Sequence, residues 1–427
     1  MNNKVIVIGG TGGREHALAW KLSKSPKVKE VFIAPGNAGT RNIGKNVDLK
    51  PSETKELIDF CKKESMDLVI IGPDDLLAGG LADEFKKNGF SVFGASKKAA
   101  RIESSKAFAK FVMDEAKVPT ARYKSFTTPD KAKKYAREQS YPLVIKASGL
   151  ALGKGVIICE DFEDAEEAIE LIMVKKAFSS AGDTVIIEDF LKGSEVSFHV
   201  LSDGKSYAVF PPSQDHKQVF DGDTGPNTGG MGAFAPVAWV SDKLKNQVDN
   251  QIIDPVLENL RHKNSEFIGC LYPGLMITKS GPKVLEYNAR FGDPETQVYM
   301  RLLDSDLYDV LKSCADNRLK PKSVKWKKGF AVTVVLASGG YPGNYQKGVE
   351  IHGTEEAEKL DNVVVFHAGT KLINDKLVTS GGRVLNVTVY ADSLEEAIKK
   401  AYQAVGLIHF DNMHYRKDIG KREKSRT

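Results

Sequence analysis

In the stretch VLEYNARFGDPETQ (Val284 to Gln297), Glu286, Asn288 and Arg290 occupy alternate positions of a run that otherwise suits a buried strand. Side chains alternate faces along a strand, so Val284, Glu286, Asn288 and, if the strand persists that far, Arg290 share one face. Leu285 and Tyr287 take the other. A carboxylate and an amide oxygen are hard donors that suit Mg²⁺, which commonly takes one or two protein carboxylates and completes its shell with phosphate oxygens. A guanidinium on the same face can grip a phosphoryl group or a carboxylate with two parallel hydrogen bonds. A buried salt bridge at a sheet edge is the alternative for these three residues.

Three further stretches carry residues of the same chemical bent. KASGLALGKGV (Lys146 to Val156) lies between two apparent strands and lacks the GK[ST] ending, so it is not a P-loop. A hairpin of this kind can fold over a triphosphate, with glycines admitting phosphate oxygens and Lys146 and Lys154 offsetting their charge; a solvated surface hairpin is the alternative. VIIEDFLKGSEVSF (Val185 to Phe198) runs a strand into Glu188-Asp189-Phe190-Leu191 and then Glu195. Its backbone could pair with a base edge and its acid with ribose hydroxyls, or it could be an exposed acidic turn. GGTGGREHAL (Gly9 to Leu18) follows a strand and opens a helix, where free N–H groups and the helix dipole favour an anion, with Arg14 beside it. A dinucleotide site fits poorly: Glu15 stands at the third glycine position of GxGxxG, and the second strand ends without a ribose-binding acid. The five-residue spacing of His409 and His414 suits no zinc pattern.

The elements that must position these residues follow from the periodicity. KVIVIGG, EVFIAPG, DLVIIGPDD and FSVFGAS read as four buried strands, separated by helical patterns over 14–24, 53–64 and 76–88. That alternation specifies a doubly wound parallel sheet with ligands at its carboxyl edge. A helix over 96–117 carries Lys106. An α+β unit follows over 121–191, further strands and a helix near 241–262 complete the middle of the chain, and a strand-rich α+β segment begins after 326. The fold class is therefore α/β and α+β multidomain. The expected divisions are 1–104, 105–325, 326–420 and a charged tail over 421–427.

Length and composition agree with an ordinary multidomain enzyme. The 427 residues exceed a single core and set a prior of about three domains. With 41% hydrophobic and 27% charged residues there is ample material for cores. A net charge of +5 is too small to indicate nucleic acid and suits an anionic small substrate. Cys61, Cys159, Cys270 and Cys314 form no CxxC pair, the first residues read as a strand and not a signal peptide, and no apolar run approaches the roughly 18 residues of a membrane span. A cytoplasmic monomer with small-molecule partners, and neither nucleic acid nor membrane among them, is expected.

The order of these features, Lys106, then Lys146 with its glycine loop, then a hinge with an acid, then Glu-x-Asn-x-Arg, resembles the ATP-grasp superfamily. GGREHA (12–17), SQDHKQVFDGDTGPNTGGMGA (213–233), ARFGDPETQ (289–297) and TSGGRVLNVT (379–388) resemble the phosphoribosylamine–glycine ligase family, from about Val5 to Gly420. The resemblance implies a pre-ATP-grasp N-terminal domain, an ATP-grasp core with a mobile lid over about 121–191, and ligation of glycine to 5-phosphoribosylamine at the expense of ATP in purine synthesis. It implies ATP contacts at Lys106, Lys146, Gly149, Gly153, Lys154, Gly155, Glu188, Asp189, Phe190, Leu191 and Glu195, and Mg²⁺ or Mn²⁺ at Glu286 and Asn288. Substrate contacts are implied at Gly10, Thr11, Gly12, Gly13, Arg14 and Glu15, and at Asp215, Lys217, Gly229, Gly230, Met231 and Gly232. Arg290 and Asp293 become the catalytic pair. The sequence departs from the pattern at Gln218, where Arg is expected, at GPDD, where GPE is expected, and after Gly420.

Overall fold

Four of the parallel strands stand where the apolar runs place them, and a short fifth joins their edge. The computed structural model describes residues 2–151 and 154–421. Its first sheet has the order Lys45–Asn46, Val28–Pro35, Asn3–Gly10, Leu68–Ile71, Val92–Phe93, all parallel. Val5, Ile6, Val7 and Ile8 are all fully buried, as a central strand covered on both faces requires. The helix expected over 76–88 is instead two, Asp74–Gly79 and Leu81–Lys87, because Gly80 adopts a left-handed φ of 95° between them. The helix expected over 96–117 is also divided. Ser105 is extended and its hydroxyl accepts the Phe108 N–H, so a new helix, Lys106–Glu115, begins with Lys106 at its first position.

The next unit is a four-stranded antiparallel sheet ordered Tyr123–Phe126, Val185–Asp189, Leu143–Ala147, Val156–Cys159. Helices Pro129–Arg137 and Phe162–Ile169 pack on it around an apolar core that belongs to this unit alone. Beyond it, the long hairpin Ile268–Thr278 and Gly281–Asn288 extends a second antiparallel sheet that includes Ser194–Ser197 and Val200–Asp203.

The closing sheet does not respect the division expected near 326. Its order is Gln214–Asp215, Gly232–Ala235, Phe330–Ala337, Arg383–Ala391, Val363–His367, so two strands come from the middle of the chain. Gly232–Ala235 is buried throughout and finds in Phe330–Ala337 the edge it needs. The helix Leu394–Val405, capped by the Ser393 hydroxyl, covers one face of this sheet. The N-terminal helix Gly13–Ser23 meets the same domain through Phe366. This fully buried ring stands edge-on to His16 and Trp20, each 5.5 Å away between centroids.

Phe366→Ala should cost about 3–5 kcal/mol in urea unfolding, since it empties a buried aromatic site. A loss below about 1 kcal/mol would show that this junction is not a packed core.

Candidate active site

The hairpin of Ile268–Thr278 and Gly281–Asn288 floors a cavity of about 790 Å³, within the size range of small-ligand sites. The strict alternation expected along its second strand does not hold. Gly274 pairs with Glu286 but Leu275 pairs with Val284, so a bulge at Leu285 resets the faces. Val284 consequently turns into the core at 0% exposure, while Leu285 and Glu286 both line the cavity. The Leu285 carbonyl, freed from the ladder, accepts a hydrogen bond from Lys146 Nζ at 3.0 Å.

Past the strand end, Arg290 lies on the cavity wall and donates to Asn288 Oδ1 at 3.1 Å. Its second anchor is Glu103, whose Oε1 is 3.2 Å from the guanidinium and whose Oε2 accepts the Ala289 N–H at 2.7 Å. Burial pushes the Glu103 carboxyl up to about 7, against the opposing pull of Arg290. Glu286 is different. Burial favours its neutral form, but Lys217, Lys106, Lys146 and Arg290 together hold it below the usual carboxylate value. An ionised carboxylate and an amide oxygen therefore face the cavity. Among the described residues no group of three or more His, Cys, Asp or Glu could cage a metal. The donors fit a hard divalent cation whose remaining ligands come from a bound phosphate chain, as Mg²⁺ prefers.

Cations gather around Glu188. Glu188, 3% exposed, lies between Lys146, in direct ion-pair contact, and Lys110, whose Nζ is 2.6 Å from Oε2. Burial opposes ionisation of Glu188, yet these two ammonium groups hold it below the usual range. Lys106 Nζ reaches the Gly149 carbonyl at 3.3 Å, and burial lowers its pKa. Val144, Ile158, Ile186, Met276 and Leu285 form an apolar wall beside these charges.

Further charges gather along the cavity wall. Lys217 Nζ is 3.1 Å from Glu195 Oε2 and 4.0 Å from Glu286 Oε1, and Glu195 is the larger cause of its raised pKa. Arg383 donates to the carbonyls of Gly229 and Asp293, both at 2.6 Å, and pairs with Asp293 Oδ2 at 3.2 Å. Burial opposes the charge on Asp293, but Arg383 and Arg14 keep it below its ordinary value. Burial and the neighbouring Glu295 push Asp215 well above it. Asp215 Oδ1 and Glu295 Oε1 are buried without a hydrogen-bond partner.

Three family models together match nearly the whole chain: the N domain, the ATP-grasp (A) domain and the C domain of phosphoribosylglycinamide synthetase, at residues 3–103, 104–296 and 331–422. The chain belongs to the phosphoribosylglycinamide synthetase family. A phosphoribosylamine–glycine ligase of Clostridium acetobutylicum is 44% identical over 98% of this chain and 99% of its own length. The trifunctional purine biosynthetic protein adenosine-3 of Gallus gallus is 48% identical over 99% of this chain, which spans 42% of that protein's length. The solved phosphoribosylamine–glycine ligase of Thermotoga maritima superposes with a TM-score of 0.85 at 35% identity, covering 97% of this chain and 100% of its own.

Within this synthetase fold, the residues singled out by sequence fall into three sets. Lys106, Lys146, Lys154, Gly155, Glu188 to Leu191 and Glu195 line the cavity, as do Asp215, Lys217, Gly229, Glu286, Asn288, Arg290, Asp293 and Arg14. Around the first glycine loop, Glu15 is buried at 1% exposure and turns beneath the backbone, where its carboxylate packs against Gly9, Gly12 and Gly72 and accepts from Arg14. Gly13 packs against Asn386 and Gln297, so Gly10 and Thr11 form the turn above a tightly filled base. Away from the wall, Gly149 presses on Ala181, Met231 sits in a small apolar cluster with Val219 and Ala337, and Gly232 packs on Ile419. Met231 and Gly232 thus support the loop from behind, because Gly232–Ala235 turns its residues into the closing sheet. Gly230, at φ 109°, would place a Cβ 2.4 Å from Pro294. Gly153 lies outside the described residues.

Sequence reasoning missed Lys110, Glu103, Glu295 and Arg383. Lys110 was accessible in principle, since it stands four residues after Lys106 and on the same helix face. Arg383 lies inside TSGGRVLNVT, whose pattern alone assigns it no role. Glu295 likewise lies inside ARFGDPETQ, whereas Glu103 shows its importance only by burial.

The raised Glu103 carboxyl has a definite pH signature. Between its ordinary value of 4.5 and about 7, the unfolded chain has released a proton that the folded protein retains, so this group's contribution to stability falls as pH rises. Glu103→Gln removes that slope. Relative to the variant, the native protein should lose on the order of 3 kcal/mol between the two ends of that window. Parallel denaturation curves across the window check this, and an unchanged difference would mean that Glu103 titrates normally.

Proposed function

We propose that the protein ligates glycine to 5-phosphoribosylamine, giving glycinamide ribonucleotide, ADP and phosphate through a glycyl phosphate. The observation that carries this reading is one cavity in which an ionised acid and an amide oxygen face three lysines, beside an apolar wall and an arginine held ready on Glu103. Such a site binds a nucleotide triphosphate and stabilises charge on a phosphoryl group in transfer. The family's relatives supply the identity of the acceptor.

A glycine carboxylate resists attack because its charge repels nucleophiles and it has no leaving group. Transfer of the γ-phosphoryl group forms a carboxylate–phosphorus bond and breaks the bond to ADP. The ribosylamine nitrogen then attacks the carbonyl carbon, phosphate departs with the carbon–oxygen electron pair, and the nitrogen gives up a proton. Lys106 and Lys146 bind the phosphate chain, and the apolar wall takes the base above Phe190 and Leu191. Glu195 accepts from ribose hydroxyls. Arg290 meets the developing charge on the transferred group, a task that positioning and electrostatics dominate. Asp293, gripped by Arg383, fixes the loops that approach the small substrates, with Asp215 and Gly229 around them, and Lys217, held between Glu195 and Glu286, stands where those substrates meet the ribose and phosphates of the nucleotide. Arg14 and the turn at Gly10 to Gly13 receive the sugar phosphate.

Glu286 and Asn288 would hold Mg²⁺ or Mn²⁺, which when bound supplies charge neutralisation on the phosphate oxygens. The unit over 121–191, with its separate core, acts as a lid that shields glycyl phosphate from water. Among the described residues no helix is long and apolar enough to cross a membrane, and the four cysteines are free and buried.

Mixing the protein with ATP, Mg²⁺, glycine and freshly generated phosphoribosylamine should yield glycinamide ribonucleotide by mass, with ADP release requiring both acceptor substrates. ADP release with another carboxylate–amine pair, and none with these, would replace the substrate assignment while keeping the nucleotide site. Glu286→Ala should abolish ATP turnover. Arg14→Ala should instead raise KM for the ribosylamine about tenfold or more with kcat little changed, as loss of a charged phosphate contact implies.

A further inference from the structure

The bulkiest side chain with no exposure among the described residues is charged. Arg416 is 0% exposed and lies in none of the elements that form the cavity. Its Nε and one terminal nitrogen donate to the two oxygens of Asp418, at 2.8 and 2.7 Å. Its other terminal nitrogen donates to Asp223 Oδ1 at 2.9 Å and to the Gln218 carbonyl at 3.1 Å. Around this centre the segment 414–420 is fastened along the loop 216–223. His414 Nε2 contacts the Val219 carbonyl at 2.8 Å, and the Gly222 N–H donates to Asp418 at 2.9 Å. The Lys417 N–H donates to Asp221 at 2.7 Å. The strap is fixed from behind by the Tyr402 hydroxyl, which donates to the Arg416 carbonyl at 2.8 Å and accepts the Ile419 N–H at 3.0 Å.

The loop has two sides. Asp215 and Lys217 line the cavity, whereas His216 and Val219 are buried on the other side. Taking a guanidinium out of water costs several kcal/mol, and well-packed apolar residues often give equal or better stability. A buried arginine satisfied by two acids and a carbonyl instead fixes one geometry. That geometry sets where the Lys217 ammonium stands, between Glu195 and Glu286.

We propose that Arg416 is a positioning residue for the nucleotide site, acting through the Gln218 carbonyl and Asp223 to hold the 216–223 loop and with it Lys217. It touches no substrate. The proposal rests on the cavity's binding a nucleotide as argued above. Gln218, where the sequence departs from the family pattern, also lines the cavity, but its contact with Arg416 is made by a backbone oxygen that any residue supplies.

The test is a double-mutant cycle on the full chain, read as the equilibrium dissociation constant of MgATP. Arg416→Lys keeps the charge but has too few donors to serve all four acceptor oxygens, and should weaken binding about tenfold. Lys217→Met should weaken it at least as much. The double variant should bind no more weakly than Lys217→Met alone, because the arginine acts only through the lysine. Additive losses, or unchanged affinity in Arg416→Lys, would overturn the proposal. Val389→Ala, a buried change in the closing sheet, supplies a control for general destabilisation. If it lowers Tm equally and weakens MgATP equally, Arg416 is merely structural. Should Arg416→Lys fail to fold, Asp223→Asn takes its place in the cycle with the same expectations. Failure of the unaltered protein to bind MgATP would instead sink the nucleotide reading beneath the proposal.

Discussion

Positive groups brought together in a partly desolvated cleft repel one another, and the structure depends on buried acids to hold them there. Glu188 stands between Lys110 and Lys146, Glu103 backs Arg290 and Asp293 takes Arg383, while the half-exposed Glu195 takes Lys217. Removing water strengthens each attraction and also raises the cost of any unpaired charge. The pairs are therefore a condition for the cleft to exist at all, and each cation is aimed before a ligand arrives. Preorganisation of this kind is what electrostatic catalysis requires, since charges already fixed need not reorient as the reaction proceeds.

That arrangement also explains what could be read from the sequence. Central strands such as KVIVIGG announce themselves because both faces are buried, and Glu286, Asn288 and Arg290 stand out because polar residues interrupt an apolar run. The order of the motifs was legible for the same reason. The roles of Glu103 and Glu295 were not. Glu103 lies on a helix whose sequence looks like any exposed amphipathic segment, and Glu295 opens another. Nothing local distinguishes a buried acid from a solvated one. The alternation argument failed at Leu285 because a single extra residue in a ladder leaves no reliable mark in composition. Gly80 and Ser105, by contrast, do mark the breaks in the two helices that were expected to be continuous, through a residue suited to a left-handed turn and one suited to a helix cap.

The divisions of the chain are likewise less separate than its motifs suggest. The closing sheet borrows Gln214–Asp215 and Gly232–Ala235, and the loop between them carries Lys217 and Gly229 to the cleft. Phe366 ties the first helix to the same sheet, and Arg383 reaches across to Asp293. The cavity wall is thus assembled from segments far apart in sequence, and the strand pairing that stabilises the closing domain is also what sets the loop's height. Among the described residues, the unit over 121–191 alone keeps its apolar core to itself.

The bulge at Leu285 has one more implication. The acceptor it offers to Lys146 belongs to the main chain, so every amino acid that position could encode would still present it. Drift at codon 285 can alter the greasy surface of the cavity without touching the bond that ties the 121–191 unit to the hairpin beneath it. The lining and the fastening are free to evolve there independently.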